Sequence, residues 1–581
     1  MSILKQIEEE LKEIFVNLNY PVEKINLVKS SRPDLGDYQI NECMALAKKV
    51  GTNPREIAAN VVKVLEENPN FTNVNIAGPG FINITFTDKF LIDAVNKMNE
   101  NVYNNIDKLE KTRIMLDYGG ANIAKALHVG HLRSANIGEA LKRLARALGK
   151  EMIGDVHFGD IGRQSGMVIY EIRERYPNLN YFNSEKQETY DELPINAKDL
   201  EKIYPTASTK AKEDENIMEE VRTITADLEN GHPGYVALWE KVKEISKEDI
   251  KQLYVRINTD FDLWEGESDC YPYIPEMIDY LKDNNYMYES EGAYVIDVAK
   301  DDDNKPMPPL VVIKSNGATL YATRELATLY SRMKRFNPDE IWYITDNRQE
   351  LYFNQVFRAS YKSKIVKEST KLEFFPFGTM NGTDGKPFKT RDGGVMNLKD
   401  LIEMVKEETT KKLKDNVSEE EKDAISETVA IAAVKYADFL PFRTTDYIFD
   451  CSKFSELEGK TGPYLLYSTI RMNSLLNKAK QEGITYDNVS ILNNTTFRNV
   501  IIELLELSNV LINSYNSKSL NEIADFLYKI TNAYNKFYSE NRILTEENTE
   551  IRSSYLTLSK VVRDINLFLL DILAIKVPEK M

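Results

Sequence analysis

Apolar residues change their spacing twice between residues 113 and 156, and each change marks a separate element. Residues 113–117 (RIMLD) form a short apolar run that is typical of a buried strand. The next apolar positions are spaced by four, three and four residues, as on one face of a helix: Ile137, Leu141, Leu144 and Leu148. A second apolar run at residues 152–156 completes a strand–helix–strand unit. This pattern places the segment between the first strand and the helix at the carboxyl edge of a parallel sheet.

The same patterns divide the whole chain. Residues 1–108 are predicted to form a small α/β module, in which a helix near the N-terminus precedes a turn and an alternating strand at residues 78–84. Residues 109–370 alternate strand and helix patterns as a doubly wound, Rossmann-type sheet does, with a polar helical insertion at about 168–255. Residues 371–454 are predicted to be a connecting helical region, where Ser418 and Glu421 have capping-box spacing. Residues 455–581 have helical spacing almost throughout. The predicted fold class is α/β, with a C-terminal all-α bundle.

Composition limits the cellular setting of this chain. Its 581 residues are enough for three or four domains, and 42% of them are hydrophobic. The sequence contains no apolar run long enough to cross a bilayer and no signal-peptide pattern at its start. Cys43, Cys270 and Cys451 are too widely separated for a disulfide framework or a CxxC zinc site. We therefore expect a reduced, cytoplasmic protein that makes no membrane contact.

Net charge gives a conflicting indication. The formal charge of −17 argues against a nucleic-acid partner if the chain is taken as a whole. Binding depends on local basic patches, however, and not on the sum of the charges. Composition therefore leaves a nucleic-acid partner open.

The richest local pattern is the pair of histidines at the predicted sheet edge. His128 and His131 flank Gly130 in a chain that has only four histidines. A loop that precedes a helix N-terminus binds phosphates, and imidazoles can donate hydrogen bonds to phosphate oxygens as charge grows on them. Two histidines three residues apart could equally be surface residues or metal ligands, but no third ligand stands close by in the sequence. The pattern favours a nucleotide site without a metal.

Several motifs together resemble the class I aminoacyl-tRNA synthetases, and specifically the arginyl-tRNA synthetases, over essentially the whole chain. The segments that carry the resemblance are NIAKALHVGHLRS at 122–134, VHFGDIGRQSG at 156–166, GES at 266–268, YATRELA at 321–327, RQ at 348–349, FNQVF at 353–357, GKPFKTR at 385–391 and GKTGPYLLY at 459–467. Each is weak alone, but their order along the chain is that of the family. The resemblance implies an enzyme that activates L-arginine with MgATP and transfers it to the 3′-terminal adenosine of tRNA(Arg).

The resemblance also implies which residues bind ATP. The candidates are Ala124, Lys125, His128, Gly130, His131, Lys389 and Arg391, and the catalytic set is His128, His131, Lys125, Lys386 and Lys389. The family's second signature, usually written KMSKS, corresponds to residues 385–391 and lacks its second lysine here. Arginyl enzymes often depart in this way, and the resemblance implies that Lys125 replaces the missing charge. On the residues alone, the loop lysines could instead be solvated surface residues.

The remaining implied sites bind arginine and tRNA. The arginine-binding candidates are Asn122, Glu267, Tyr321, Glu325 and Gln349, which offer carboxylates and amide oxygens to a planar guanidinium. The position of Glu325 is usually aspartate in the family, so arginine selectivity depends on this exchange. The tRNA-binding candidates are Phe81, Asn83, Tyr464, Tyr467 and Met581. Tyr464 and Tyr467 share a helix face and could stack on bases, although such pairs are more often buried in a core.

Other functions are compatible with parts of this pattern. Another class I synthetase is the nearest alternative; the cysteinyl enzyme is disfavoured by the absent zinc cysteines. A small-molecule nucleotidylyltransferase would not need the C-terminal helices. A non-catalytic tRNA-binding paralogue would not need His128, His131 or Lys125. The resemblance implies a monomer that uses ATP and Mg²⁺ and needs no zinc.

Overall fold

The computed structural model describes residues 1–183, 185–305, 307–315, 317, 319–386, 388, 396–412 and 418–581. The N-terminal part is an α/β module whose antiparallel strands lie in the order β1-β2-β4-β3. Its elements are α1 (Ile3–Asn17), β1 (Val28–Lys29), β2 (Tyr38–Ile40), α2 (Cys43–Val50), α3 (Pro54–Leu65), β3 (Phe71–Ala77), β4 (Phe81–Phe86) and α4 (Asp88–Glu100). The predicted helix and the turn-plus-strand at residues 78–84 are both confirmed.

Helix α1 illustrates why these residues fold as they do. The Ser2 hydroxyl accepts a hydrogen bond from the Lys5 amide and caps the N-terminus. Ile7, Leu11 and Phe15 recur every four residues and are buried in the hydrophobic core.

A parallel sheet with the strand order β11-β10-β5-β6 forms the centre of the molecule. Its first elements are β5 (Arg113–Asp117), α5 (Val129–Ala147), β6 (Glu151–Asp155) and α6 (Arg163–Arg175). The predicted strand–helix–strand unit is therefore confirmed. Alternate residues of β5 face opposite sides of the sheet, so that Leu116 joins one hydrophobic core and Met115 joins the other.

The predicted helical insertion follows α6. It consists of α7 (Ala197–Glu213), α8 (Glu215–Glu229) and α9 (Pro233–Arg256), and its predicted start at residue 168 falls within α6. The chain continues through α10 (Ile274–Asp283), β7 (Tyr288–Ser290), β8 (Ala293–Ile296), β9 (Leu310–Ile313), α11 (Tyr321–Phe336), β10 (Glu340–Asp346), α12 (Glu350–Lys362) and β11 (Lys371–Phe377). Strand β11 pairs in parallel with β10, so the predicted division at residue 371 falls just before a strand of the same sheet.

Helices dominate the rest of the chain. The connecting elements are β12 (Met380–Asn381), α13 (Leu398–Thr410), α14 (Glu419–Phe439), β13 (Tyr447–Ile448) and α15 (Cys451–Phe454). Ser418 and Glu421 form the predicted capping box at the start of α14. The C-terminal bundle consists of α16 (Gly462–Gln481), α17 (Thr495–Leu505), α18 (Leu507–Ser517), α19 (Asn521–Glu540) and α20 (Thr549–Ile572), as the helical spacing predicts.

The N-terminal module and the C-terminal bundle contact each other directly. Arg498 on α17 donates hydrogen bonds to the Asp37 carboxylate at 2.6 Å and to the Phe86 carbonyl at 3.0 Å. The Tyr38 hydroxyl donates to Glu506 at 2.6 Å. Within the described ranges, none of the helices combines the length and the apolar character needed to cross a bilayer.

Candidate active site

A cavity of about 660 Å³ opens at the carboxyl ends of β5 and β10. Strand β5 is followed in sequence by its neighbour β6 on one side, and the chain later returns to β10 on the other side. Such a switch point leaves a crevice where ligands bind in parallel α/β sheets. The predicted residues that line the cavity are Asn122, His128, Gly130, His131, Glu267, Tyr321, Glu325 and Gln349. The structure thus brings together every predicted arginine-binding residue and the histidine motif.

Both motif histidines are held in one tautomer at the N-terminus of α5. The Gly130 amide donates to His128 Nδ1 at 3.0 Å, and the His128 amide donates to His131 Nδ1 at 3.0 Å. Because each Nδ1 accepts, each Nε2 carries the proton and acts as a donor. A side chain at Gly130 would not fit, since a Cβ there would lie 2.9 Å from His128 Cε1.

The charge state of the histidines follows from their surroundings. Burial, together with the neighbouring His128 and Lys125, lowers the pKa of His131 to about 3. Burial, together with Lys125 and Arg348, also lowers the pKa of His128 from its ordinary value. Both rings are therefore neutral at pH 7. They present Nε2–H donors to an anion without carrying a charge of their own.

A buried cluster of charges forms the floor of the cavity. Arg332 on α11 donates hydrogen bonds at 2.7 Å to both Asp117 and Asp155, which lie side by side at the ends of β5 and β6. The Tyr343 hydroxyl, 3.3 Å from the Arg332 guanidinium, donates to the Glu325 carboxylate at 2.9 Å. Arg332 thus ties Asp117 and Asp155 together, and Tyr343 links this pair to Glu325.

His157 adds a second positive charge to this cluster. Its ring lies 3.6 Å from the Asp155 carboxylate. Burial alone would lower the pKa of His157, but Asp155 and Asp117 outweigh burial and raise it to about 9. The ring is therefore protonated at pH 7. In the described part of the chain, Asp117, Asp155 and His157 form the one group whose ligand atoms lie close enough together to hold a metal ion. Arg332 already fills the cationic position between its carboxylates.

Glu325 is the carboxylate without a cation of its own. Burial raises the pKa of Glu325 above its ordinary value, and Asp117 adds to this effect, whereas the charges of His157 and Arg332 counteract part of it. When Glu325 is ionised, Asp117, Asp155 and Glu325 supply three negative charges, whereas Arg332 and His157 supply two positive charges. The cluster therefore has an excess of one negative charge next to the cavity.

The opposite wall of the cavity contains an internal ion pair. Arg324 donates to Glu267 at 3.0 Å and stacks over the Tyr321 ring at 4.4 Å. Burial raises the pKa of Glu267, although Arg324 counteracts part of this effect. Tyr321 is 59% exposed and stands at the cavity mouth.

The amide side chains occupy fixed places on the rim. Gln349 accepts a hydrogen bond from the Thr345 hydroxyl at 3.2 Å. Asn122 covers Gly159, where a Cβ would lie 2.4 Å from the Asn122 Oδ1 atom. A glycine at position 159 therefore allows Asn122 to reach the cavity.

Of the predicted lysines, Lys125 and Lys386 are described, and they differ in exposure. Lys125 is half-buried, and its Nζ atom lies 4.4 Å from the centre of the Tyr204 ring on α7. The preceding Ala124 amide donates to the Ser246 hydroxyl on α9 at 2.9 Å. Lys386 is exposed. Lys389 and Arg391 lie outside the described residues.

Residues 397 and 398, which come shortly after the signature segment, are nevertheless bonded to the histidine loop. The Leu398 amide donates to the Leu127 carbonyl at 2.8 Å, and Asn397 bridges to His128. The described residues that follow the second motif are therefore adjacent to the histidine loop.

The predicted tRNA-binding residues lie away from the cavity. Phe81 is half-buried on β4, and Tyr467 is 40% exposed on α16. Tyr464 is bonded to Asn532 and Asn535 inside the bundle, and Met581 packs against the same core. Their contacts with tRNA remain predictions.

Asn83 has no exposed surface. Its amide accepts from Gln39 at 2.9 Å and donates to Asn75 at 3.0 Å. A direct contact with tRNA would require these hydrogen bonds to break.

Sequence reasoning missed the residues beneath Glu325. They are Asp117, Asp155, His157, Arg332 and Tyr343. One signal was available: Arg332 follows Glu325 by seven residues, which is two helical turns, so both lie on one face of α11. The motif at 156–166 also contains His157.

Family models match nearly the whole chain. The model of the class I (R) tRNA synthetase catalytic domain matches residues 94–451. The arginyl-tRNA synthetase N-terminal domain matches residues 1–86, and the DALR anticodon-binding domain matches residues 465–581.

Relatives and solved structures agree with these matches over complete chains. The chain is 43% identical to the arginine–tRNA ligase of Alkaliphilus oremlandii and 41% identical to that of Agathobacter rectalis, in each case over 100% of both chains. The arginyl-tRNA synthetases of Plasmodium falciparum and Thermus thermophilus share its fold, with TM-scores of 0.80 and 0.77 over 100% of both chains, at 23% and 18% identity. On the family models and full-length relatives together, this chain belongs to the arginyl-tRNA synthetases of the class I aminoacyl-tRNA synthetase family.

Proposed function

We propose that this chain is an arginine–tRNA ligase that forms arginyl-adenylate and transfers the arginyl group to tRNA(Arg). The observation that carries the proposal is the Glu325 carboxylate, which lines the cavity without an ion-pair partner among the described residues, near the paired Glu267 and Arg324. A bound guanidinium would balance this charge and could donate paired hydrogen bonds to a carboxylate. A neutral side chain would leave the carboxylate uncompensated.

Activation requires an oxygen of the arginine carboxylate to attack the α-phosphorus of ATP. The new oxygen–phosphorus bond forms as the bond to the bridging oxygen breaks, and pyrophosphate leaves with that oxygen. His128 and His131 would donate Nε2 hydrogen bonds to phosphate oxygens whose charge grows during this displacement. Because both imidazoles are neutral, they do not form ion pairs with the carboxylates of the cavity floor. Positioning at the α5 N-terminus adds the favourable end of a helix dipole.

Transfer follows from the same cavity. The 2′-hydroxyl of the terminal adenosine attacks the arginyl carbonyl and its proton passes to the departing phosphate. The bond between the carbonyl carbon and the phosphate oxygen breaks, and AMP leaves with that oxygen. We propose Asn122, Glu267, Tyr321, Glu325 and Gln349 as the arginine-binding residues, because all five line the cavity. The DALR-like bundle at residues 465–581 would bind the anticodon region.

Mg²⁺ is proposed to arrive with ATP, where it neutralises phosphate charge. The acidic groups at the cavity floor do not suit a resident metal, since Arg332 bonds both Asp117 and Asp155. We further propose a monomeric, cytoplasmic enzyme, which light scattering of the purified chain and fractionation of the cells that express it would test.

A charging assay tests the proposed function. The purified chain is incubated with ATP, Mg²⁺, total tRNA and each of the twenty amino acids in turn. We expect acid-precipitable aminoacyl-tRNA with arginine alone. Charging with another amino acid would identify a different class I synthetase. Absence of AMP formation with all twenty, in the presence of tRNA, would indicate a binding protein without catalysis.

A further inference from the structure

Lys125 points into the helical insertion. Its ammonium group sits over the face of Tyr204 on α7, 4.4 Å from the ring centre, which is within cation–π range. Lys125 also lines a small depression together with residues of α7 and α9 that include Leu200 and Ser246. Within the described ranges of the chain, no carboxylate forms an ion pair with Lys125.

The main cavity is bounded by the residues that follow Lys125 in the sequence. His128, Gly130 and His131 line the cavity. Lys125 is not among the described residues that line it. The lysine therefore lies beside the histidine loop, with its ammonium group on the Tyr204 ring and not in the cavity wall. To reach a phosphate in the cavity, its side chain has to leave the Tyr204 ring.

A second contact ties the same face of α7 to the start of α13, which follows the signature segment in sequence. Glu201, one helical turn before Tyr204, lies 3.7 Å from the Lys399 ammonium, which also bonds Asp249 on α9 at 2.9 Å. Lys399 directly follows Leu398, whose amide is bonded to the histidine loop. Helix α7 therefore contacts both segments that flank the phosphate-binding edge.

We propose that Tyr204 is a positioning residue that holds Lys125 in a resting place, so that the lysine reaches ATP only after this contact opens. The inference rests on the proposed function and on the role that the family resemblance implies for Lys125, which is to supply the charge that the signature loop lacks. A ligand that favours the open arrangement, such as bound tRNA, would shift the equilibrium toward the active position. The Tyr204–Lys125 contact would then set part of the barrier to amino-acid activation.

The test compares pyrophosphate exchange with and without tRNA(Arg) in Tyr204→Leu, Tyr204→Gln and Tyr204→Phe. The leucine and glutamine variants remove the ring, and phenylalanine keeps it. Loss of the contact should raise exchange without tRNA by roughly 2- to 30-fold, the range that cation–π energies correspond to. Exchange with saturating tRNA should change less than twofold. The phenylalanine variant should behave as the wild type does, since the ring face remains.

Two further variants separate this mechanism from a general loosening of the insertion. Tyr190→Leu removes a half-buried ring that stacks on Tyr181 in the same insertion, and it should leave tRNA-independent exchange unchanged. Adding Lys125→Ala to Tyr204→Leu should abolish the gain, because the freed group is then absent.

Specific outcomes overturn the proposal. Unchanged or lower tRNA-independent exchange in both Tyr204→Leu and Tyr204→Gln would show that the ring does not restrain Lys125. An equal gain in Tyr190→Leu would assign the effect to loosening of the insertion. Failure of the proposed function is distinguishable, since the wild type would then not charge tRNA with arginine at all.

Discussion

Replacing Glu325 with glutamine removes one charge from the cavity floor and almost no volume. The glutamine oxygen can still accept the 2.9 Å hydrogen bond from the Tyr343 hydroxyl, so the local packing is retained. Asp117 and Asp155 would then be balanced by Arg332 and protonated His157, which leaves no excess negative charge for a guanidinium. We expect arginine binding to weaken while ATP binding stays the same.

The size of the effect follows from this charge count. Removing one partner of a buried, hydrogen-bonded charge pair costs roughly 2–5 kcal/mol. The KM for arginine should therefore rise by about 30-fold to several thousandfold. Because burial raises the pKa of Glu325, its charge is unfavourable in the free protein, and the variant should be at least as stable as the wild type.

Steady-state charging kinetics and a thermal unfolding scan measure both expectations. Glu276→Gln is the matched control, because it removes a half-exposed carboxylate that pairs with Lys334 on α11, outside the cavity. It should leave the KM for arginine unchanged. Glu325→Asp restores the charge with a shorter reach and should recover part of the affinity. An unaltered arginine KM in Glu325→Gln would refute the charge argument and shift recognition to Glu267.

Further predictions concern the remaining parts of the site. His128→Ala and His131→Ala should each lower the rate of adenylate formation by about 10²–10³ with little change in arginine KM; single-turnover assays that give wild-type rates would exclude their role. The pKa of His157, raised to about 9, means that its stabilising charge is fully present below pH 6.5 and is lost as pH rises toward 9. Urea unfolding should therefore show the wild type losing about 3 kcal/mol relative to His157→Gln between pH 6 and pH 9.5, and parallel pH profiles would contradict this. Pyrophosphate exchange should require tRNA(Arg), and Tyr464→Ala with Tyr467→Ala should depress the tRNA-stimulated rate; full exchange without tRNA would disprove the coupling.

Local patterns were sufficient for the elements around the histidines. The apolar runs at residues 113–117 and 152–156 and the helical spacing between them depend on nearby residues, and the structure contains β5, α5 and β6 at these places. The capping box at Ser418 was predictable for the same reason, because both partners lie within one helical turn.

The floor of the cavity depends on residues that are distant in sequence. Arg332 lies 215 residues from Asp117 and 177 residues from Asp155, and no periodicity links such positions. The position of Lys125 over Tyr204 likewise depends on how the insertion packs against the loop. Local spacing carries no information about either contact.

Asn83 illustrates a different limit. An alternating pattern indicates that Phe81 and Asn83 share one face of a strand, but it does not indicate what covers that face. In the structure β4 is flanked by β2 and β3, and the Asn83 amide is bonded to neighbours on both strands. Which side of a strand becomes buried is decided by its partners.

The contact between the first and last parts of the chain has a consequence for biosynthesis. Asp37 and Arg498 are separated by 461 residues, so the N-terminal module leaves the ribosome long before its partner helix exists. At typical translation rates of about 5–20 residues per second, the interval is roughly 20–90 s. During that time the Asp37 carboxylate lacks Arg498 and the Tyr38 hydroxyl lacks Glu506, which they bond in the finished protein. Closure of this interface is therefore a late folding event, and a chain that stops before α17 would leave the N-terminal module undocked.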